Sequence, residues 1–220
     1  MPALDELRAQ VAATARHLAR AGQLEAFGHV SARSGEVIAI TTTRPLFACT
    51  SADVVVINAD GTPVDPAATD LPLERFLHLA IYSARPEVAA ICRGHGRWYV
   101  AWGVNDDPVP VRHGLGLLAG ERVGVHCDPL LISTPARATA AASALGQAHC
   151  LILRGNGAVA TGASLPEAAA RLYALDERCR VALDAPGSGP EEEDLWQRRA
   201  VDTAVEMARH TAWFTARFAD

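Results

Sequence analysis

Between Leu73 and Gly96 the chain reads LERFLHLAIYSARPEVAAICRGHG, a helix that has to stop followed by a strand that has to be buried. Glu74 and His78 are four residues apart and so share one face of that helix. Arg85-Pro86 ends it, because proline lacks the amide hydrogen that the next turn needs. The strand, Val88 to Cys92, delivers Arg93 and His95, which are two apart and point to the same side of an extended chain. Residues 151–168, LILRGNGAVATGASLPEA, repeat the plan: strand, a polar residue between glycines, strand, helix.

The remaining pattern mixes helices with short strands. Helices are expected at 5–25, from Trp98 to Gly103, from Pro135 to about Leu145 and from Leu165 to Leu183. Strands are expected through Val37–Thr41, at Val54–Asn58, ending near His113, at Val123–His126, Leu130–Ser133, Cys150–Leu153 and Ala158–Thr161. An acidic linker, 185–193, leads to a last helix, 194–218, with Trp196, Trp213 and Phe214. Strands this short do not make a regular βαβ series, so α/β layers with a largely antiparallel sheet fit best, in one domain spanning 1–220 with 194–218 as a helical extension.

Composition excludes several functions. All 20 basic residues are arginine, so chemistry through a lysine Schiff base is ruled out. A net charge of −5 with scattered arginines gives no basic stripe for nucleic acid. No apolar run is long enough to cross a membrane, and the first helix does not resemble a signal peptide. Five cysteines without CxxC spacing, four of them in apolar surroundings, lead to the expectation of reduced thiols and a cytoplasmic protein.

Together with GHVSAR (28–33), the two segments resemble the class II aldolase/adducin family over most of residues 5–180. The resemblance implies a three-layer α/β/α fold around a largely antiparallel sheet, ring-shaped tetramers, and pockets at subunit contacts. It also implies a Glu acid/base and three His that bind zinc or a similar divalent ion. Glu74, His78 and His95 match that frame, but Arg93 stands in place of the first ligand and Asn156 in place of the third. A guanidinium cannot coordinate a cation, and Asn is a poor zinc ligand. No residue is therefore assigned to a metal, and no cofactor is expected.

In this frame Glu74, otherwise readable as a solvated first-turn carboxylate, becomes the general acid/base. His78 reads as a packing or hydrogen-bonding residue. His95 lies between glycines that allow close approach of a ligand, and Arg93 supplies positive charge unless it turns to solvent. Asn156 is either a plain Asn-Gly turn or an amide donor in the pocket. LERFLHLAIY and the glycine-flanked RGNG resemble a subset of hydroxy-aromatic carboxylate decarboxylases, in which His113 falls at a further pocket position. His29, Arg33 and Arg44 fall where a substrate anion would be held. The Ser pair that precedes Glu in sugar-phosphate aldolases is replaced by Pro72-Leu73, so a sugar phosphate is disfavoured and a carboxylate held by Arg33 and Arg44 fits better. His126, Cys127 and Asp128 are neighbours on a strand and cannot easily converge on one ion.

The leading expectation is a lyase without a metal: decarboxylation or carbon–carbon cleavage through an enolate-like anion, on a small carboxylated, hydroxy-aromatic or keto substrate. Glu74, Arg93, His95 and His113 are its catalytic candidates, and His29, Arg33, Arg44 and Asn156 its substrate-binding ones. The alternatives are an isomerase or cyclase using the same pocket, a metal-dependent enzyme with rearranged ligands, and a non-catalytic adducin-like scaffold. The final helix is expected to cover the pocket or a neighbouring subunit of a homo-oligomer.

Overall fold

The computed structural model describes residues 2–105, 107–187, 199 and 203–219. In chain order these give α1 (Pro2–Arg20), β1 (His29–Ser34), β2 (Val37–Thr41), β3 (Val54–Asn58), α2 (Arg75–Ala84), β4 (Ala90–Gly94), α3 (Arg97–Trp102), β5 (Val123–His126), α4 (Pro135–Leu145), β6 (Cys150–Leu153), β7 (Gly157–Gly162), α5 (Leu165–Asp184) and α6 (Thr203–Phe218). Seven strands form one sheet in the order β3-β2-β1-β4-β7-β6-β5. Each neighbouring pair is antiparallel except β5–β6.

Side-chain alternation along the strands divides the core into two layers. Small residues such as Ala32, Ala39, Ala90, Cys92 and Ala160 face one way and let α1 and α5 approach closely. Ile38, Ile40, Ile91, Leu151 and Val159 face the other way, where α2 and α4 bring Leu77, Ile81, Ala138 and Leu145. This is the expected α/β/α arrangement. Helix starts follow local chemistry: the Ser164 and Thr134 side chains accept from Glu167 N and Arg137 N, each with proline in the first turn.

Three expectations are corrected. Leu130–Ser133 and the stretch before His113 form no strand. Instead, Arg178 of α5, almost completely buried, donates to the carbonyls of Val109 (2.6 Å) and Gly120 (2.7 Å), and this interaction shapes that segment. Short apolar runs cannot reveal that a distant guanidinium will take up their carbonyls. Of the two covers expected of the last helix, its described residues Thr203–Phe218 do not make the one over the pocket of their own chain. Described over Thr203–Phe218, it packs Trp213, Phe214 and Phe218 around Tyr173 of α5, with ring centroids 5.6, 5.7 and 5.8 Å away. Of the expected final segment, Trp196 and most of the acidic linker lie outside the described residues.

Candidate active site

The pairing of β1 with β4 builds the site. His29 lies opposite Arg93 and Ser31 opposite Ile91, so His29, Ser31 and Arg93 all face α2. Glu74 caps α2 rather than lying within it, and its carboxylate turns into the same space. Gly157, at φ +100°, passes so close to Gly94 O that any side chain there would collide with it, which brings the Asn156 turn against the end of β4.

The result is a cleft of about 390 Å³, with Glu74, His29, Arg93, His95, Asn156 and Arg44 among its lining. Phe27, Leu46, Pro72, Leu73 and Leu131 give it apolar walls, and Thr42 and Thr43 add hydroxyls. The Arg93 guanidinium lies on its floor, buried to 1% exposure. Arg93 Nη2 is 3.0 Å from Glu74 Oε2, and Nη1 is 2.8 Å from His95 Nδ1. Glu74 Oε1 accepts from Ile132 N at 3.2 Å, and His29 Nε2 lies 3.5 Å from Oε2.

The electrostatics follow from this packing. Burial pushes the Glu74 carboxyl up, but His29, Arg93 and the Ile132 amide outweigh it and bring the pKa down to about 2. Glu74 is therefore ionised. Burial, with the Arg93 charge added, lowers His95 to about 4. Burial likewise lowers His29, against an opposing pull from Glu74, and holds His78 well below its ordinary value. In the free site the histidines are neutral around one buried ion pair.

Two sequence candidates lie elsewhere. Arg33 is four residues beyond His29 on β1, about 13 Å along an extended chain. Its guanidinium binds the carbonyls of Tyr82 (3.0 Å), Val88 (2.6 Å) and Pro86, closing the corner between α2 and β4. His113 precedes the short turn at Gly114–Ala119 and does not line the cleft of its own chain. Arg44 does line the cleft, 3.7 and 3.8 Å from Asp53 and Asp70. Sequence reasoning missed Thr42, Thr43, Ser31 and Tyr82. Ser31 could have been suspected from the period-two spacing in GHVSAR, but only the β1–β4 register ties it to the site.

The donor set suits a divalent ion poorly. Among the described residues no group of three or more His, Cys, Asp or Glu side chains converges to hold one. A fixed positive charge sits between Glu74 and His95, where a cation would be repelled.

Residues 9–183 match the model of the class II aldolase and adducin N-terminal domain. The chain belongs to this family. It is 30% identical over 202 residues to the 3,4-dihydroxyphthalate decarboxylase of Terrabacter sp., covering 86% of this chain and 84% of that one. It is 27% identical over 200 residues to the decarboxylase tropJ of Talaromyces stipitatus, covering 76% and 74%. An aldolase II superfamily protein from Pseudomonas syringae superposes with a TM-score of 0.83 at 23% identity, over 99% and 94% of the two chains. L-fuculose 1-phosphate aldolase from Glaciozyma antarctica does so with a TM-score of 0.80 at 19% identity, over 98% and 92%. These similarities at low identity show the shared fold.

Proposed function

We propose that this family member is a lyase that decarboxylates a small hydroxy-aromatic carboxylate without a metal ion. The observation that carries the reading is the buried Arg93 guanidinium, held 3.0 Å from Glu74 and in contact with both ring nitrogens of His95 on the floor of an apolar-walled cleft. The named decarboxylase relatives support the reaction type.

A hydroxy-aromatic acid fits these walls by its ring, with Arg44 and Asn156 at hand for its carboxylate. When a substrate oxyanion takes a share of Arg93, Glu74 loses part of the partner that keeps it acidic, and its basicity rises. Glu74 then accepts the proton of the ring hydroxyl, and the oxygen's electrons move into the ring. The carboxyl-bearing carbon takes the proton back from Glu74, the bond to the carboxylate breaks as CO2 leaves, and its electron pair restores the ring. One proton from solvent returns to the phenolate, so the sum is ArCOO⁻ plus H⁺ giving ArH and CO2. Arg93 supplies the fixed positive charge that this anionic path needs.

Exposed Phe27, Phe47, Leu73 and Leu131, at 72, 70, 62 and 43%, stand at or near the mouth. They support the proposal that a homo-oligomer, a tetramer by resemblance, closes this face. None of the described helices is long and apolar enough to cross a membrane. The free cysteines, buried apart from Cys127, support a cytoplasmic setting.

The test is CO2 release from a panel of 2-hydroxybenzoate-type acids, alongside sugar phosphates, on protein dialysed against a chelator. Turnover of an aromatic acid that survives chelation is the expected result. Activity that returns only with an added divalent ion would overturn metal independence, and cleavage of a sugar phosphate alone would overturn the decarboxylase reading. A second check uses the pocket itself. The Arg93→His/Asn156→His double variant removes the repelling charge and places imidazoles at two positions beside His95. It should bind about one zinc per chain by elemental analysis; a folded variant that takes up none would show that these positions do not converge.

A further inference from the structure

Behind the cleft a line of buried polar groups runs away from Glu74 into the layer between β1 and α2. His29 Nδ1 is 2.6 Å from His78 Nε2, His78 Nδ1 is 2.6 Å from Ser31 Oγ, and Ser31 Oγ is 2.8 Å from the Tyr82 hydroxyl. With His29 Nε2 facing Glu74, four contacts are satisfied by four hydrogens: one each on two neutral imidazoles, a serine and a tyrosine.

Only one direction works. Glu74, beside Arg93, is a carboxylate and can only accept, so the hydrogen between it and His29 belongs to His29 Nε2. His29 Nδ1 is then an acceptor, His78 must donate from Nε2, and Ser31 must donate to His78 Nδ1. Tyr82 donates to Ser31. The far end is closed: Tyr82 is 4% exposed, with the Arg33 guanidinium carbon 5.0 Å over its ring and Arg33 Nη1 on its carbonyl. A proton wire needs an outlet to water, and the Tyr82 end of this chain has none. Its effect is to orient.

We propose that the Glu74 carboxylate sets the direction of this line and that His78, Ser31 and Tyr82, as positioning residues, hold His29 in the resulting Nε2–H tautomer, so that the His29 N–H, 3.5 Å from Glu74 Oε2, is shared with a substrate oxygen seated beside that carboxylate. The substrate atom seated there must then accept from His29: a carboxylate or phenolate oxygen, or the ring hydroxyl oxygen while its own hydrogen goes to Glu74. This deepens the decarboxylase reading, on which it rests for the identity of the substrate but not for the tautomer. It also gives Arg33 a place, as the clamp at the closed end.

The experiment is long-range proton–nitrogen NMR on the substrate-free protein carrying ¹⁵N-labelled histidine, with His29→Asn to assign the signals. His29 and His78 should each show a single pattern with the hydrogen on Nε2. In Ser31→Ala the donor to His78 Nδ1 is gone, only the 3.5 Å contact with Glu74 still directs His29, and the His29 pattern should become a mixture. The kcat for the aromatic acid should fall about tenfold with KM little changed, as for other partners that orient a functional histidine. Ser31→Thr, which keeps the hydroxyl, should restore both. A wild-type His29 protonated on Nδ1, or present as a mixture, would overturn the proposal, as would an unchanged pattern in Ser31→Ala. Should the variants fail to fold, the wild-type spectrum decides alone. Absence of decarboxylation with the expected tautomers would count against the substrate reading and leave this one standing.

Discussion

Replacing Arg93 by methionine should lower kcat about 100- to 1000-fold, the loss that follows removal of one fixed donor from a developing oxyanion. It should also cost about 3–5 kcal/mol of stability, because the Glu74 carboxylate is left buried without its guanidinium partner. The two effects separate in a second variant. Adding Glu74→Gln to Arg93→Met removes the orphaned charge, so urea unfolding should recover most of the stability while CO2 release does not recover. Methionine matches the arginine stem in volume, so a packing defect is not the cause. The stability deficit of Arg93→Met alone should shrink toward acid pH, where Glu74 can take up a proton. A variant with near-normal kcat would remove Arg93 from the chemistry, and one with normal stability would show that Glu74 finds another partner.

The second large effect is acid sensitivity. His29 and His78 are held below their ordinary value of 6.5 by burial, and His95 and His149 are lowered to about 4, again chiefly by burial. These folded-state values are depressed, so the unfolded chain binds the protons that the native one refuses. Stability is complete above about pH 6.5 and falls as the pH drops toward 4, most through the fully buried His29 and His78 and less through the partly exposed His95 and His149, whose charge solvent screens. Glu74 adds a lower window: its ion pair stabilises fully above its ordinary 4.5 and is lost as pH falls toward 2. Denaturant melts from pH 8 to pH 4 should show a flat plateau and then a steep decline below 6.5, with a net uptake of about two or more protons on unfolding near pH 5. Equal stability at pH 7 and pH 5 would mean that these histidines are already charged in the native protein.

Much of the site was legible in the chain. Arg85-Pro86 ends α2 where expected, Val88–Cys92 announces β4, and the spacing of Arg93 and His95 puts both at the end of one strand. Asn156 between two glycines marks the β6–β7 turn. The resemblance supplied the frame in which Glu74, Arg93, His95 and Asn156 belong together, and they line one cleft. Arg33 misled because its neighbours in sequence are site residues. On a strand, a few steps along the axis carry a side chain to the opposite end of the sheet. His113 misled because its loop takes its course from Arg178, on a helix much later in the chain.

The sequence by itself determined most of the helices and strands, the stop of α2 at Arg85-Pro86, and which residues share a face within one element. These depend on local periodicity, caps and proline, all of which act over a few residues. Only the tertiary structure decided that β1 lies against β4 with His29 opposite Arg93, and that α2 covers that face with Glu74, His78 and Tyr82. Which strands pair, and in which register, depends on burial summed over the whole sheet, and a shift of one residue would turn His29 and Ser31 to the other layer. The buried ion pair and the directed line of hydrogen bonds behind it exist only because that register was chosen.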